Sequence, residues 1–380
     1  MRWRDLTGGD MRASELTVGV EEEFFLADVA TRHAVLRAET VLEGTAPVPG
    51  GGRVEPELAR AQVESVSAVC RDIGSLREEL LRLRRSVAAA AESNGCRLVA
   101  SGVVPLGDPG PPPVSDRPRY HRIAERFGPL LDQQSACACH VHVGVPDPEE
   151  AVQVVNHLRM WLPVLLVLSS NSPFWRGRDT GYASWRTPLF ARWPTAGPPP
   201  YLSGRAEYEE IVECLRETGA ILDGGMLFWY ARPSRHVPTV EVRIADVMPT
   251  VDDTVLFAAL VRALVATVLT DLRRGRAAPA AGDHLLRAAC WRAARYGLRG
   301  DGVDVSGRVD ERLIPASGQI KQLMEYVSPA LEASGEDGAV RAGLRALRLR
   351  GTGADRQRAA YRRRNRFEDV VDLLADQALT

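Results

Sequence analysis

The segment TVGVEEEFFLAD, residues 17–28, decides the fold. Its apolar and acidic side chains alternate, and a period of two residues is typical of a β-strand with one buried face. Two carboxylates on the other face repel each other and cost desolvation free energy, which a bound cation offsets. For this segment alone, a solvent-facing strand with an acidic rim is an equally good interpretation. Glu22 is the exception to the pattern, because alternation puts it on the apolar side. The two faces carry Val18, Val20, Phe24 and Leu26 on one side and Glu21 and Glu23 on the other.

The composition narrows the classes of protein that fit. A chain of 380 residues with 45% hydrophobic residues can bury a large core. The formal net charge of −1 gives no global electrostatic reason to expect nucleic acid or an acidic membrane as a partner. Lys321 is the only lysine, and the phosphate-binding pattern G-x-x-x-x-G-K-[ST] does not occur. Arginines and metal ions must therefore hold any phosphate that the protein binds.

Cysteine spacing and apolar runs indicate the compartment. The six cysteines do not form a disulfide-type pattern, and the first residues lack the apolar core of a signal peptide. The apolar runs 161–169 and 255–270 are too short for a membrane span or are interrupted by Arg262. The basic run YRRRNR, residues 361–366, fits a solvated helix face better than a nucleic-acid patch. We expect a soluble, cytoplasmic protein with reduced cysteines and without nucleic-acid or membrane partners.

The chain divides into a short extension and one large domain. The patterned region starts near residue 16, so we expect residues 1–13 to be an N-terminal extension, with Met11 as an alternative start, and residues 14–380 to form one domain. Apolar residues recur at three- and four-residue steps from residue 58 to residue 93, which predicts a long helix. On that helix Glu57 and Glu64 would share a face. Residues beyond 250 have mostly helical patterns. Residues 104–119 are predicted to be a loop or lid, and residues 171–196 a structured, ligand-facing loop.

A second polar strand face lies in SACACHVHVGV, residues 135–145. The pattern C-x-C-H-x-H suggests zinc, but in an extended strand the thiols and the imidazoles point in opposite directions. Cys137 and Cys139 are therefore expected in the core, and His140 and His142 on the face that is free to line a cleft. Structural hydrogen bonding is the alternative role for the two histidines.

A third polar face occurs in TVEVRIAD, residues 239–246, where Glu241 and Arg243 point away from the apolar side. The loop before it contributes Arg232 and Arg235. Carboxylate-rich sites with an imidazole suit Mg²⁺ or Mn²⁺ better than zinc. Several carboxylates that hold more than one hard cation, with arginines nearby, describe a site for a nucleoside triphosphate. The residues therefore predict metal-dependent phosphoryl chemistry.

Four motifs in order connect the chain to a known family. They are GVEEE at 19–23, HVHVG at 140–144, NSPFW at 171–175 and VEVRIAD at 240–246. In sequence and spacing they resemble the bacterial type 2 glutamate–cysteine ligases, also called carboxylate–amine ligases, which are relatives of glutamine synthetase. The resemblance covers residues 14–380. It implies an α+β fold of the glutamine-synthetase type, with a curved, mainly antiparallel sheet and helices packed on its outer face.

The resemblance also implies roles for individual residues. Arg243 is similar to the arginine that contacts the nucleotide γ-phosphate, and Arg232 and Arg235 are candidates for phosphate or a substrate carboxylate. Arg186 is a candidate for catalysis and for binding a substrate carboxylate, and His142 for substrate contact. The implied cofactors are ATP and two or more Mg²⁺ or Mn²⁺ ions. The positions that match metal ligands are Glu21, Glu23, Glu57, Glu64, His140 and Glu241, of which Glu241 also counts as catalytic.

The implied reaction is ATP-dependent joining of a carboxylate to an amine through an acyl phosphate, with glutamate and L-cysteine as the first expectation. Three alternatives remain open: another acid or amine, a guanidino kinase on the same fold, and a nucleotide- or metabolite-binding protein without turnover. The sequence also leaves open the choice of metal, the general base and the oligomeric state. It is compatible with a homo-oligomer.

Overall fold

The computed structural model describes residues 13–48, 50–107, 113–133, 135–307 and 312–380. The expected N-terminal extension, apart from Ala13, lies outside these residues. The strands, in chain order, are β1 (Val18–Asp28), β2 (Arg53–Pro56), β3 (Gln62–Val66), β4 (Cys96–Val99), β5 (Ala138–Gly144), β6 (Phe174–Trp175), β7 (Arg178–Asp179), β8 (Ala231–Pro233), β9 (Thr239–Asp246), β10 (Asp301–Val303) and β11 (Leu313–Pro315).

Helices account for most of the remaining structure. They are α1 (Ala38–Gly44), α2 (Ile73–Ser93), α3 (Pro118–Phe127), α4 (Pro148–Leu158), α5 (Leu162–Ser169), α6 (Arg186–Phe190), α7 (Arg205–Glu217), α8 (Val251–Arg273), α9 (Asp283–Tyr296), α10 (Ala316–Ser334), α11 (Asp337–Arg350), α12 (Gly353–Arg364) and α13 (Phe367–Gln377).

The main sheet of the described chain has the strand order β2-β3-β1-β5-β9-β8, and β4 pairs with the far end of β1. Every pairing in it is antiparallel. The strand β1 lies in the middle because its 11 residues pair with β3 on one side and with β5 and β4 on the other. The expected α+β architecture with a mainly antiparallel sheet is confirmed.

The apolar face of the sheet forms the core with the helices. Valines of β1, β5 and β9 belong to one buried cluster with leucines of α2, α5 and α8. Burial of this face follows from the alternation in each strand, because Val18, Val141 and Val242 are all at most 1% exposed. The opposite face carries the acidic and histidine side chains of β1, β3, β5 and β9, and it holds the candidate site.

Glu22, the exception to the alternation, is the centre of a buried ion pair. It lies on the core side of β1, and its carboxylate accepts hydrogen bonds from Arg84 Nε of α2 at 2.9 Å and from Thr254 Oγ1 of α8 at 2.7 Å. Arg84 also donates to the backbone oxygens of Met248, Pro249 and Ala378. Both charged side chains are fully buried. The pair therefore ties the central strand to α2, to the start of α8 and to the C-terminal residues.

The structure corrects the expected helix over residues 58–93. Residues 62–66 form β3, which is hairpin-paired with β2, and the helix α2 begins only at Ile73. The valines at positions 63, 66 and 69 recur every three residues, which imitates a helix. They are β-branched residues, however, and they favour a strand once β1 offers a partner.

The segment 148–169 forms two helices, α4 and α5, which are bent by 72° relative to each other. Pro163 lies in the first turn of α5, where its missing N–H costs nothing. Among the described residues, α8 is the one unbroken helix that is long and apolar enough to cross a membrane. Within the fold, 83% of its most apolar stretch of 18 residues is buried.

Breaking the buried ion pair should destabilise the fold. Arg84→Met leaves the Glu22 carboxylate buried without its cation, and we expect the free energy of unfolding to fall by about 3–5 kcal/mol. Arg85→Met, at the next and exposed position of the same helix, is the matched control and should change it little. Urea unfolding monitored by circular dichroism measures both. Equal stabilities of the two variants would contradict the role given to Arg84.

Candidate active site

The polar face of the sheet places acidic side chains and histidines opposite each other by strand register. Glu21 of β1 pairs with His140 of β5, and Glu23 of β1 pairs with Glu64 of β3. Residues directly opposite in an antiparallel pair lie on the same face, about 5 Å apart. His142 of β5 in turn faces Glu241 of β9. The register of four neighbouring strands therefore assembles the site.

The side chains of this face converge closely enough to share cations. Three groups have ligand atoms that all lie within 4.8 Å of one another, and Glu21 and Glu64 each belong to two of them. The predicted ligands are thus brought together from β1, β3, β5, β9 and the segment after β2. The groups are Glu21, Glu64 and His140; Glu21, His142 and Glu241; and Glu23, Glu57 and Glu64.

Glu57 and Glu64 reach the site by a route that differs from the predicted one. Glu64 lies within β3, and Glu57 directly follows β2, so both belong to a hairpin and not to one face of a helix. The Glu57 backbone oxygen accepts a hydrogen bond from Ser115 Oγ at 2.5 Å, which fixes the turn. Glu57 and Glu64 therefore do lie together at the site, but they do so in a β-hairpin and not on one face of a helix.

The carboxylates of the third group form no ion pair with an arginine of the described residues. Burial and the neighbouring Glu57 raise the pKa of Glu23 to about 8, although Arg186 opposes this. Burial, with the neighbouring carboxylates, also raises the pKa of Glu64 and of Glu57. Protons must occupy this group at neutral pH unless a cation replaces them. An oxygen-rich donor set of this kind fits Mg²⁺ or Mn²⁺.

Two other carboxylates are already paired. Burial alone would raise the pKa of Glu21, but hydrogen bonds from His140 (3.1 Å) and His142 outweigh it and lower the pKa. Burial would also raise the pKa of Glu241, but the charges of Arg243 and Arg232 outweigh burial and lower that pKa. Burial and Arg243 lower the pKa of His140 to about 4, so its imidazole is neutral and able to bind a metal.

The predicted arginines do not all lie at the centre. Arg243 bonds the Glu241 carboxylate and approaches His140 Nδ1 at 3.5 Å. Arg232 Nε donates to Glu241 Oε2 at 2.7 Å, while its Nη1 donates to the backbone oxygens of Gly224, Gly225 and Leu227. Arg235 is exposed and lies against Gly224, so the structure does not bring it into the acidic cluster.

Arg186 is buried in the wall of the site, with 3% of its surface exposed. Its guanidinium donates to the backbone oxygens of Ile244 and Arg243 and stacks on Phe190. No carboxylate of the described residues lies within ion-pair distance of it, and Nε has no hydrogen-bond partner there. Its charge is nevertheless close enough to oppose the rise in the pKa of Glu23.

Sequence reasoning missed three residues around the site. Tyr120 of α3 donates to the Pro56 backbone oxygen at 3.3 Å, and burial and the nearby Glu57 raise its pKa. Arg119 forms a two-pronged ion pair with Asp223, at 2.8 and 3.1 Å, that joins α3 to the turn beneath Arg232. The adjacent Arg-Tyr at the start of a helix after a proline-rich loop was the available signal. Asp246, the last residue of β9, is fully buried.

Comparison with known structures identifies the class of fold. The chain is similar to a glutamate–cysteine ligase of Francisella tularensis solved with AMP, with a TM-score of 0.68 at 12% identity, over 98% of this chain and 90% of that one. It is also similar to a bifunctional glutathione synthetase of Pasteurella multocida, with a TM-score of 0.66 at 13% identity, over 97% of this chain and 53% of that one. The fold is the glutamine-synthetase-like fold of these ligases, as expected.

Comparison of sequences identifies the family. The model of Glutamate-cysteine ligase family 2 matches residues 17–373. A protein of Saccharopolyspora erythraea, provisionally named glutamate–cysteine ligase 2-1, is 50% identical over 94% of this chain and 93% of its own length. A protein of Mycobacterium sp. strain KMS, provisionally named glutamate–cysteine ligase 2-2, is 47% identical over 97% of this chain and 100% of its own length. The chain belongs to Glutamate-cysteine ligase family 2, and it is an ATP-dependent ligase.

Binding of a divalent cation should release protons. In the metal-free protein at pH 7 most Glu23 side chains are protonated, because their pKa is raised to about 8, whereas a ligand carboxylate must be ionised. We expect titration with Mn²⁺ at pH 7 to release about one proton or more, and the apparent affinity to rise with pH up to about pH 8.

Calorimetry in two buffers with different ionisation enthalpies measures this release. Glu64→Gln should weaken Mn²⁺ binding, and the matched control Glu92→Gln, on the exposed end of α2, should not. Identical heats in both buffers, or equal effects of the two variants, would contradict the assignment.

Proposed function

We propose that this ligase joins the γ-carboxylate of glutamate to the amine of L-cysteine and forms γ-glutamylcysteine. The observation that carries the proposal is the convergence of five carboxylates and a neutral imidazole beside Arg243 on one sheet face. The names of the relatives that share half of the sequence support the choice of substrates. Six free cysteines, five of them buried, are consistent with a reducing, cytoplasmic location.

The residues that would hold Mg²⁺ or Mn²⁺ are Glu21, Glu23, Glu64, His140 and Glu241, with Glu57 completing the third group. When bound, the cations supply neutralising charge for the phosphates of ATP. We assign Arg243 to the transferring phosphoryl group, an assignment supported by its guanidinium, which lies between Glu241 and His140 and is held there by an ion pair. Arg232 holds the other oxygen of Glu241 and so keeps this carboxylate in position.

The reaction has two steps. A carboxylate oxygen of the acid attacks the γ-phosphorus of ATP, the bond to the β-phosphate oxygen breaks, and ADP leaves. The amine nitrogen then attacks the carbonyl carbon of the acyl phosphate, loses a proton and expels inorganic phosphate. Water competes with the amine in the second step. We assign its exclusion to the segment 113–117 before α3, in which Ser115 bonds the Glu57 backbone oxygen, and to the segment 171–186, which ends at Arg186.

Two side chains are candidates for holding the acid. His142 donates or accepts a hydrogen bond with Thr239 Oγ1 at 2.9 Å, and its Nε2 lies 3.3 Å from Glu21, so its ring is fixed at the edge of the cluster. Arg186 supplies a buried positive charge that no described carboxylate pairs with. Arg235, exposed and outside the cluster, is a weaker choice for phosphate than the sequence suggested.

The substrates can be identified directly. We expect ADP release only when an acid and an amine are both present, with glutamate and L-cysteine giving the highest rate and an amide product by mass spectrometry. A different best pair would replace the substrates and keep the reaction class. Release of ADP with a guanidine alone would indicate a kinase, and ATP binding without ADP formation would contradict an enzymatic role.

Glu23→Gln separates catalysis from folding. We expect it to lower turnover by a factor of about 100 or more, because one ligand to the cations is lost. The raised pKa of Glu23 means that ionisation destabilises the folded protein as pH rises from 4.5 towards 8. Glutamine mimics the protonated form, so the Tm of the metal-free variant at pH 7 should equal or exceed that of the wild type. Near-normal turnover would show that Glu23 is not a ligand.

Arg243→Ala should act mainly on kcat. Its guanidinium is expected to interact more strongly with the transferring phosphoryl group than with bound ATP, so the KM for ATP should change much less. Steady-state kinetics at saturating metal measure both constants, and Arg85→Ala, at an exposed position of α2, is the control outside the site. An unchanged kcat would exclude Arg243 from the transition state.

A further inference from the structure

A fully buried polar network lies at the end of β9, three residues beyond Arg243. Its centre is the Asp246 carboxylate, which accepts hydrogen bonds from Asn171 N at 2.8 Å, Ser172 Oγ at 2.7 Å and Ser184 Oγ at 2.8 Å. These residues are all 0% exposed. One buried carboxyl group therefore holds both ends of the segment 171–186 against the strand that carries Glu241 and Arg243.

The network continues from Asp246 to Arg186 through one hydroxyl. Ser172 Oγ donates to Asp246 and accepts a hydrogen bond from the Arg186 backbone N–H at 3.1 Å. The Arg186 guanidinium then returns to β9, where it donates to the backbone oxygens of Ile244 at 3.2 Å and Arg243 at 3.3 Å. Asp246, Ser172 and Arg186 are thus joined by hydrogen bonds that start and end on β9.

The surroundings leave this arrangement little freedom. A Cβ atom on Gly102 would lie 2.7 Å from Asp246 Cγ, so only glycine allows the backbone to approach the carboxylate. From the other side, Gln357 Nε2 of α12 donates to the Asn171 backbone oxygen at 2.9 Å and to its side-chain oxygen at 2.7 Å. Helix α12 therefore holds the segment that Asp246 anchors.

We propose that Asp246 and Ser172 are positioning residues of the ligase reaction, which fix Arg186 and, through its bonds to β9, the strand segment that presents Arg243. This inference rests on the proposed function. Asp246 and Ser172 act through Arg186 and do not contact the substrates. Small misplacements of a charge-stabilising group cost large factors in rate, because the group must meet charge where it develops.

Ser172→Ala tests the proposal with little disturbance of volume. We expect kcat to fall about 10-fold or more, with the KM for ATP changed less than about twofold, as for the loss of one positioning contact. The matched control is Ser169→Ala, a serine that is 1% exposed and whose hydroxyl bonds only carbonyls of its own helix. Asp246→Asn should lower kcat at least as much as Ser172→Ala. Wild-type kcat in either variant would overturn the proposal.

A double-mutant cycle distinguishes positioning from general loop anchoring. If Ser172 acts through Arg186, Ser172→Ala should lower kcat less than about twofold in an Arg186→Lys background. The same factor of loss in both backgrounds would show that Ser172 acts independently of Arg186 and would overturn the proposal.

Hydrogen exchange supplies a measurement that does not depend on turnover. Ser172→Ala removes the acceptor of the Arg186 amide, so the peptide that contains Trp185 and Arg186 should exchange faster, and Ser169→Ala should leave it unchanged. Unchanged exchange in Ser172→Ala overturns the proposal. If the wild type makes no amide product, the proposed function fails, and exchange still decides whether Ser172 holds Arg186.

Discussion

Repulsion among carboxylates on one sheet face is the constraint on which this molecule depends. Glu21, Glu23, Glu64 and Glu241 lie on neighbouring strands whose backbone ladders fix them opposite each other or opposite histidines. The strands cannot shift by one residue to move these carboxylates to the other face. Such a shift would also move every apolar side chain of the strand out of the core. The apolar face thus holds the acidic face together.

The acidic residues divide into two sets by their partners. Glu21 and Glu241 are paired with histidines or arginines and have lowered pKa values, whereas Glu23, Glu57 and Glu64 face one another and have raised values. Among the described residues, Glu21 and Glu241 already have hydrogen-bonded histidine or arginine partners, whereas Glu23, Glu57 and Glu64 do not. The second set is therefore suited to bind divalent cations together with the phosphates of a nucleotide. In the proposed reaction, Arg243 and Arg232 are the fixed positive charges beside the cation sites.

The sequence predicts the elements whose evidence is local. The alternation in β1, β5 and β9 correctly separates the polar face from the core, and it correctly places Cys139 of β5 in the core with Val141 and Val143. It does not explain Glu22, because its partner Arg84 lies 62 residues away on α2. It gives the wrong reason for Glu57 and Glu64, since the hairpin depends on pairing with β1 and not on the residues themselves.

The buried carboxylate of Asp246 shows the same limit at the site. Its donors lie 62 to 75 residues away in sequence, so no spacing rule connects them. The fold brings them together because α5 and β9 deliver their ends to the same place, and α12 closes over them. Such networks become visible only when the long-range pairing of the sheet is known.

The most direct measurement is a crystal structure with Mn²⁺ and a non-hydrolysable ATP analogue, with anomalous scattering used to locate the metal. We expect two or more anomalous peaks within about 2.2 Å of carboxylate oxygens of Glu21, Glu23, Glu64 and Glu241, with the γ-phosphate bound to the same ions. Manganese and phosphates found elsewhere, with the acidic cluster protonated and free of metal, would contradict it.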